Sequence, residues 1–103
     1  MYTYLRLKQG DADTFTEVIE NLATLTGYTA KLYIYDPDGT LSLVITGTIE
    51  NLTITYELGN DDSQVFVLGR GSFESKIFDA DDHVYTSSWG PFMVTPADDI
   101  NPS

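Results

Sequence analysis

Three short aspartate clusters and one histidine are the residues of this chain best equipped to do chemistry. Asp36 and Asp38, Asp61 and Asp62, and Asp79, Asp81 and Asp82 form the clusters, and His83 follows the last. Carboxylates converging from neighbouring loops can hold Ca²⁺, which takes about six to eight oxygen ligands. No cluster has the roughly twelve-residue helix–loop–helix calcium spacing, and aspartate also recurs in turns because it caps them itself. Asp79, Asp81 and Asp82 are the best candidates for a bound cation, with turn capping as the rival reading. His83 as a general base would need a nucleophile and an orienting carboxylate converging on it. Ser87, Ser88 and Asp82 are only its sequence neighbours. With no cysteine, disulfides, thiolate nucleophiles and cysteine-held metals are excluded. The sequence therefore predicts no catalytic residue, no cofactor and no enzyme.

Aromatic and cationic side chains are the second set with a chemistry to offer. Ala30, Leu32 and Ile34 alternate with Lys31, Tyr33 and Tyr35, the period of two that marks a strand with one packed face. The first strand alternates likewise and points Tyr2, Tyr4, Arg6 and Lys8 away from Thr3, Leu5 and Leu7. Outward aromatics give a contact surface much area for little lost entropy. Tyr2, Tyr4, Arg6, Lys8, Tyr33, Tyr35 and Trp89 are the predicted partner-interface residues. An aromatic platform for sugar is a further reading of the same tyrosines, and Trp89 reads equally as anchor or core plug.

The elements that must position them are short strands. Eight glycines punctuate the chain, no helical stripe runs beyond about two turns, and β-branched and aromatic residues dominate. Predicted strands cover residues 2–8, 14–20, 28–35, 41–46, 52–58, 65–68, 73–78, 83–89 and 92–94. The segment 41–46 is nearly all apolar and reads as buried on both faces. Asp36-Pro37-Asp38-Gly39 is a hairpin turn, residues 59–63 a loop or helical turn, and Gly90-Pro91 a break between strands. Apolar positions switch phase near Glu50-Asn51, which implies a turn or bulge there. The fold class is all-β: one antiparallel, immunoglobulin-like (Ig-like) β-sandwich of about seven or eight short strands over residues 1–97. Residues 98–103 form a polar, loose C-terminal tail.

Charge sets limits on partners. Sixteen acidic residues against five basic ones give a net charge of −11 in 103 residues. Such a surface repels phosphates and anionic membranes, so no nucleic acid and no membrane partner is predicted. A chain this long holds one core and one domain. Met1 to Arg6 lacks the basic start and apolar run of a secretory leader, which places synthesis in the cytoplasm.

Taken in order, Gly10-Asp11, Phe15-Thr16, Leu25-Thr26-Gly27-Tyr28-Thr29-Ala30, Asp36-Pro37-Asp38-Gly39, the strand 52–58, Gly71 to Ile77 and Phe92-Met93-Val94-Thr95-Pro96 follow a known pattern. It resembles the N-terminal β-sandwich of tailed-phage baseplate upper proteins and related small virion proteins, over about residues 3–97. Phe73 stands where that pattern favours tyrosine. The resemblance implies a structural virion protein, made in the host cytoplasm and present as a homo-oligomer or in many symmetric copies. With no fibre or receptor-binding part after the sandwich, a head decoration or cement protein on the major capsid protein is favoured. A tail or baseplate adaptor and a carbohydrate-binding module are the alternatives.

Overall fold

The computed structural model describes residues 3–20, 22–60, 66 and 68–96. Eight strands run in chain order: β1 (Leu5–Lys8), β2 (Asp13–Val18), β3 (Thr29–Tyr35), β4 (Leu41–Thr46), β5 (Thr48–Glu50), β6 (Thr53–Leu58), β7 (Gly69–Phe78) and β8 (Val84–Thr95). They form a five-stranded sheet in the order β1-β8-β7-β3-β4 and a three-stranded sheet in the order β2-β6-β5. All pairings are antiparallel except β1 with β8, which is parallel. The all-β sandwich expected from the alternation is therefore present, with one parallel pair that the pattern did not reveal.

Between the sheets lies an apolar core built from alternate positions. Ala30, Leu32 and Ile34 of β3, Ile54, Tyr56 and Leu58 of β6, and Phe73 and Ile77 of β7 are all buried. Phe92 is 1% exposed and meets Phe15 and Phe66 edge-on, at 6.0 and 5.4 Å between ring centres. Phe15 comes from the smaller sheet and Phe92 from the larger, so this aromatic trio pins the layers together.

One polar network crosses that core. The buried Ser75 hydroxyl donates to Glu17 Oε1 at 2.8 Å and shares a 2.7 Å bond with the Tyr56 hydroxyl. A serine has one hydrogen, so Tyr56 is the donor in the second bond. Ser87 donates to the same Glu17 oxygen at 3.1 Å. Burial, with the Glu17 charge adding to it, pushes the Tyr56 hydroxyl up to about 12. Replacing Ser75 with alanine strands the Tyr56 hydroxyl, and an unpaired buried polar group costs about 1–3 kcal/mol. Urea unfolding of Ser75→Ala should show a lower midpoint at unchanged slope.

Several sequence expectations need correction. Segment 41–46 is not buried on both faces: β4 is an edge strand, and Leu41 and Val44 are exposed. Its apolar run reflects an uncovered edge. Gly90-Pro91 does not break the last strand either, because β8 runs unbroken through it. Proline interrupts nothing there because β1 holds β8 on both sides of it, through the Thr3 N–H bond to the Trp89 carbonyl before it and the Leu5–Phe92 register after it. The predicted first strand begins only at Leu5, and the two predicted strands 83–89 and 92–94 are one. The phase switch is met by Asn51, at φ 57° in the turn between β5 and β6. Residues 61–65 and 67 and the tail 98–103 lie outside the described residues, so most of the predicted 59–63 loop is not placed; of the predicted 65–68 strand only Phe66 and Leu68 are described, and neither is in a strand. Phe66 is buried within that span.

Candidate functional site

Each lysine and arginine in this chain sits between core-facing neighbours, which fixes its direction. Arg6 and Lys8 flank the buried Leu7, Lys31 lies between Ala30 and Leu32, and Lys76 lies between Ser75 and Ile77. Arg70 stands opposite Met93, itself between the buried Phe92 and Val94. A strand turns alternate side chains to opposite faces, so all five point away from the core. The three strands that carry them, β1, β3 and β7, belong to one sheet, and its outer face carries every lysine and arginine of the protein. Glu74 is the only acidic residue in the strands of that sheet. The smaller sheet reverses this, with Asp13, Glu17, Glu50 and Glu57 in its strands and no basic residue. A protein of net charge −11 thus presents one cationic face.

Aromatic rings share that face and support its cations. Lys76 Nζ lies 5.6 Å from the Tyr33 ring centre, Lys31 Nζ 5.8 Å from Phe78, and Arg6 Cζ 5.9 Å from Tyr4. These stacks leave the cations charged, and Lys76 Nζ also lies 3.8 Å from Glu74 Oε1, an ion pair within the face. Trp89 and Tyr4 are 44% and 48% exposed, large values for rings with no structural need to face water. The register lines Tyr33, Glu74 and Trp89 into one row and Arg70, Met93 and Arg6 into another. Between the rows, Ser72 pairs with Pro91, and these small residues leave a trough of about 600 Å³ walled by Tyr35, Arg70, Glu74 and Trp89. The Tyr35 hydroxyl donates to Glu74 Oε1 at 3.0 Å; desolvation first, and that bond second, raise its pKa.

Among the predicted interface residues, Tyr4, Arg6, Lys8, Tyr33, Tyr35 and Trp89 therefore share one face, and Tyr2 lies outside the described residues. Lys31, Arg70 and Lys76 belong with them and were missed. The outward phase of Lys31 and Lys76 was readable in the sequence; that of Arg70, between two glycines and outside every predicted strand, was not, nor was the strand order that gathers them.

The loop chemistry takes a different form. Ligand atoms of Asp79, Asp81 and His83 lie within 4.8 Å of one another, and Asp82 is not part of the group. Asp79 is occupied: its Oδ1 accepts the backbone N–H groups of Asp81 and His83, both at 2.9 Å, and its Oδ2 lies 3.0 Å from His83 Nδ1. Desolvation would raise Asp79, but these bonds outweigh it and hold the carboxyl below its usual range. Asp82 takes a positive φ of 64° at the turn tip. This is turn capping. Ser87 and Ser88, the hydroxyls nearest His83 in sequence, go elsewhere: Ser87 bonds Glu17 and Ser75, and Ser88 is buried. A second cleft, of about 280 Å³, opens between the β1 and β2 edges, lined by Leu5, Phe15, Glu17 and Val18.

No protein-family model matches the chain, and no curated protein does. Its fold is similar to that of solved structures of the Clostridium thermocellum CbhA fibronectin(III)-like modules, at 14% identity and a TM-score of 0.56. The match covers 95% of this chain and 93% of that one. At that identity the likeness establishes the immunoglobulin-like sandwich and nothing about activity.

Proposed function

We propose that this chain is a non-catalytic docking module: a structural protein of a tailed-phage particle that seats in many copies on the capsid as a head decoration protein. The observation that carries this reading is the segregation of all five cations, with exposed aromatics, onto one sheet face. Segregated charge steers an acidic partner to that face, and the rings supply apolar area once it arrives. The order of sequence landmarks supplies the particle, and the face supplies the means of attachment. Binding the assembled shell but not its separated subunits stabilises the shell by mass action.

Mixing the purified protein with bare capsids tests this directly. It should sediment with them at near-stoichiometric copy number, raise the temperature at which they rupture, and be released as salt rises. Recovery with tails or baseplates instead would move the docking site and favour an adaptor role. Failure to bind any particle fraction would defeat the reading.

The trough supports a second reading, a carbohydrate-binding module. Tyr35 and Trp89 wall a groove that also holds Arg70 and Glu74, a combination able to stack on a sugar ring and bond its hydroxyls. A glycan array read with Tyr35→Ala and Trp89→Ala separates the two: sugar hits lost in both variants favour the module, and capsid binding without sugar hits favours decoration.

A further inference from the structure

Two neighbouring serines of β8 turn inward where simple alternation would send one of them out. Ser75 pairs with Ser88 and Lys76 with Thr86, so Ser87 is the extra residue of a bulge. A bulge re-aims side chains, and this one brings Ser87 to Glu17 while Ser88 stays 6% exposed. Ser88 lines the cleft of about 280 Å³ between the β1 and β2 edges, together with Glu17. Its hydroxyl makes no hydrogen bond with any described residue, although no fully enclosed side-chain oxygen or nitrogen among them lacks a partner. The hydroxyl therefore meets the open space of the cleft.

Glu17 is half satisfied in the same place. Its Oε1 accepts from Ser75 at 2.8 Å and from Ser87 at 3.1 Å, which fills both lone pairs of that oxygen. Its Oε2 has no bonding partner among the described residues. Leu5, Phe15, Leu32 and Phe73 give the cleft apolar walls. Leaving polar groups unpaired beside apolar walls is costly, so two of them in one cleft mark a place for a ligand.

We propose that this cleft binds a primary alkylammonium group, its nitrogen between Glu17 Oε2 and Ser88 Oγ and its carbon stem along the apolar walls. The head group follows from what is left unpaired. An anion is repelled by Glu17 and by Glu20, which lines the same cleft. A guanidinium is suited to both oxygens of a carboxylate, and Oε1 is already taken. An ammonium has three donors and no acceptor, so it serves Oε2 and the serine oxygen together. Four carboxylates and no base in the strands of the smaller sheet favour a cation over a neutral donor. The volume suits a single stem, since sites for drug-sized ligands run to about 300–1,000 Å³. A lysine side chain of a protein and a free alkylamine share this chemistry. The site does not rest on the docking reading, because it lies between the sheets and not on the outer cationic face.

An amide NMR titration of the full chain with hexylammonium chloride tests it. Saturable shifts are expected at Phe15, Glu17 and Ser88, with a dissociation constant of about 1 mM. Hexan-1-ol should bind at least about tenfold more weakly, for want of the charge. Nα-acetyl-lysine methylamide separates the sources: equal affinity assigns the cleft to a lysine of a protein partner, and affinity about tenfold weaker assigns it to free amines. Ser88→Ala removes a hydroxyl with no bond to a described residue, so the urea midpoint should hold while hexylammonium binding weakens about tenfold. A merely structural serine would not split the two readouts that way. Glu17→Gln keeps an acceptor for Ser75 and Ser87 but removes the charge, and should bring amine binding down to that of the alcohol. Glu50→Gln, the same charge change on the far edge strand β5, should leave it unchanged. Shifts that fail to saturate at these amides up to about 50 mM, hexan-1-ol bound as tightly as the amine, or unaltered amine binding in Ser88→Ala would each overturn the proposal.

Discussion

Exchanging Arg6 and Arg70 for glutamate should abolish capsid docking while leaving the sandwich as stable as before. Both side chains are exposed, and they flank Met93 in one row across β1, β8 and β7. No ion pair between either of them and another described residue accompanies the fold, so their loss removes no internal partner; Arg6 leaves only its contact with the Tyr4 ring. Exposed substitutions of this kind usually change stability by less than about 0.5 kcal/mol each. At the interface the arithmetic is different, because each exchange replaces an attraction with a repulsion. Two such reversals against an acidic surface should cost about 3–5 kcal/mol, roughly a hundred- to several thousandfold in affinity. Capsid sedimentation across a salt series would show both weaker binding and a flatter salt dependence. Glu50→Lys with Glu57→Lys, on the smaller sheet, is the matched control and should leave docking nearly unchanged. If the arginine pair binds capsids as tightly as the parent protein, the cationic face is not the docking surface.

How far that face was legible in the sequence turns on what a local pattern can carry. The phase of Lys31 is fixed by Ala30 and Leu32, and that of Arg6 by Leu5 and Leu7, without any structure. Every cation but Arg70, which lies between two glycines outside the predicted strands, could therefore be assigned an outward direction on its own strand. Their assembly on one sheet depends on β1 reaching β8 in parallel and on β7 lying between β8 and β3. Pairings between residues so distant in sequence leave no trace in local alternation. The net charge hid the feature as well. Averaged over the chain, −11 argues against anionic partners, yet the average does not describe the one face where a partner would sit.

The misread segments share one cause. An apolar run such as Leu41 to Thr46 looks the same in a covered strand and at an open edge, because sequence reports side chains and not neighbours. Gly90-Pro91 reads as punctuation by composition alone, and only the closeness of β1 explains why it interrupts nothing. Ser75 falls in phase with Phe73 and Ile77, and all three are buried. Its bond to Glu17 spans 58 positions and joins opposite sheets, a relation that no spacing rule would have found.

Gly90 is where β1 is locked in place, and replacing it with alanine should release that strand. A methyl carbon added there would lie 1.7 Å from the Thr3 carbonyl oxygen and 2.9 Å from the Thr3 carbonyl carbon. Both are backbone atoms, so no side chain can swing aside, and β1 or β8 must move. The movement breaks the Thr3 N–H bond to the Trp89 carbonyl, 2.9 Å long, at the head of the parallel register. It also loosens the seat of the buried Leu7. Forcing an atom into packed structure costs about 1–3 kcal/mol, and an obstacle made of backbone belongs at the upper end. Gly39→Ala is the instructive contrast: φ is +90° there but nothing lies within 4 Å, so only the conformational penalty of about 1 kcal/mol applies. A domain stabilised by about 5–15 kcal/mol survives either change, so the effect of Gly90→Ala should be local. Amide exchange at Leu5 and Leu7 should quicken while that of β3 and β7 holds. Because β1 carries Arg6 and Lys8, capsid affinity should fall with it, even though Gly90 itself is buried and touches no partner. Unchanged protection at Leu7 would mean that the Thr3 contact yields freely, and that β1 is held by its ladder to β8 alone.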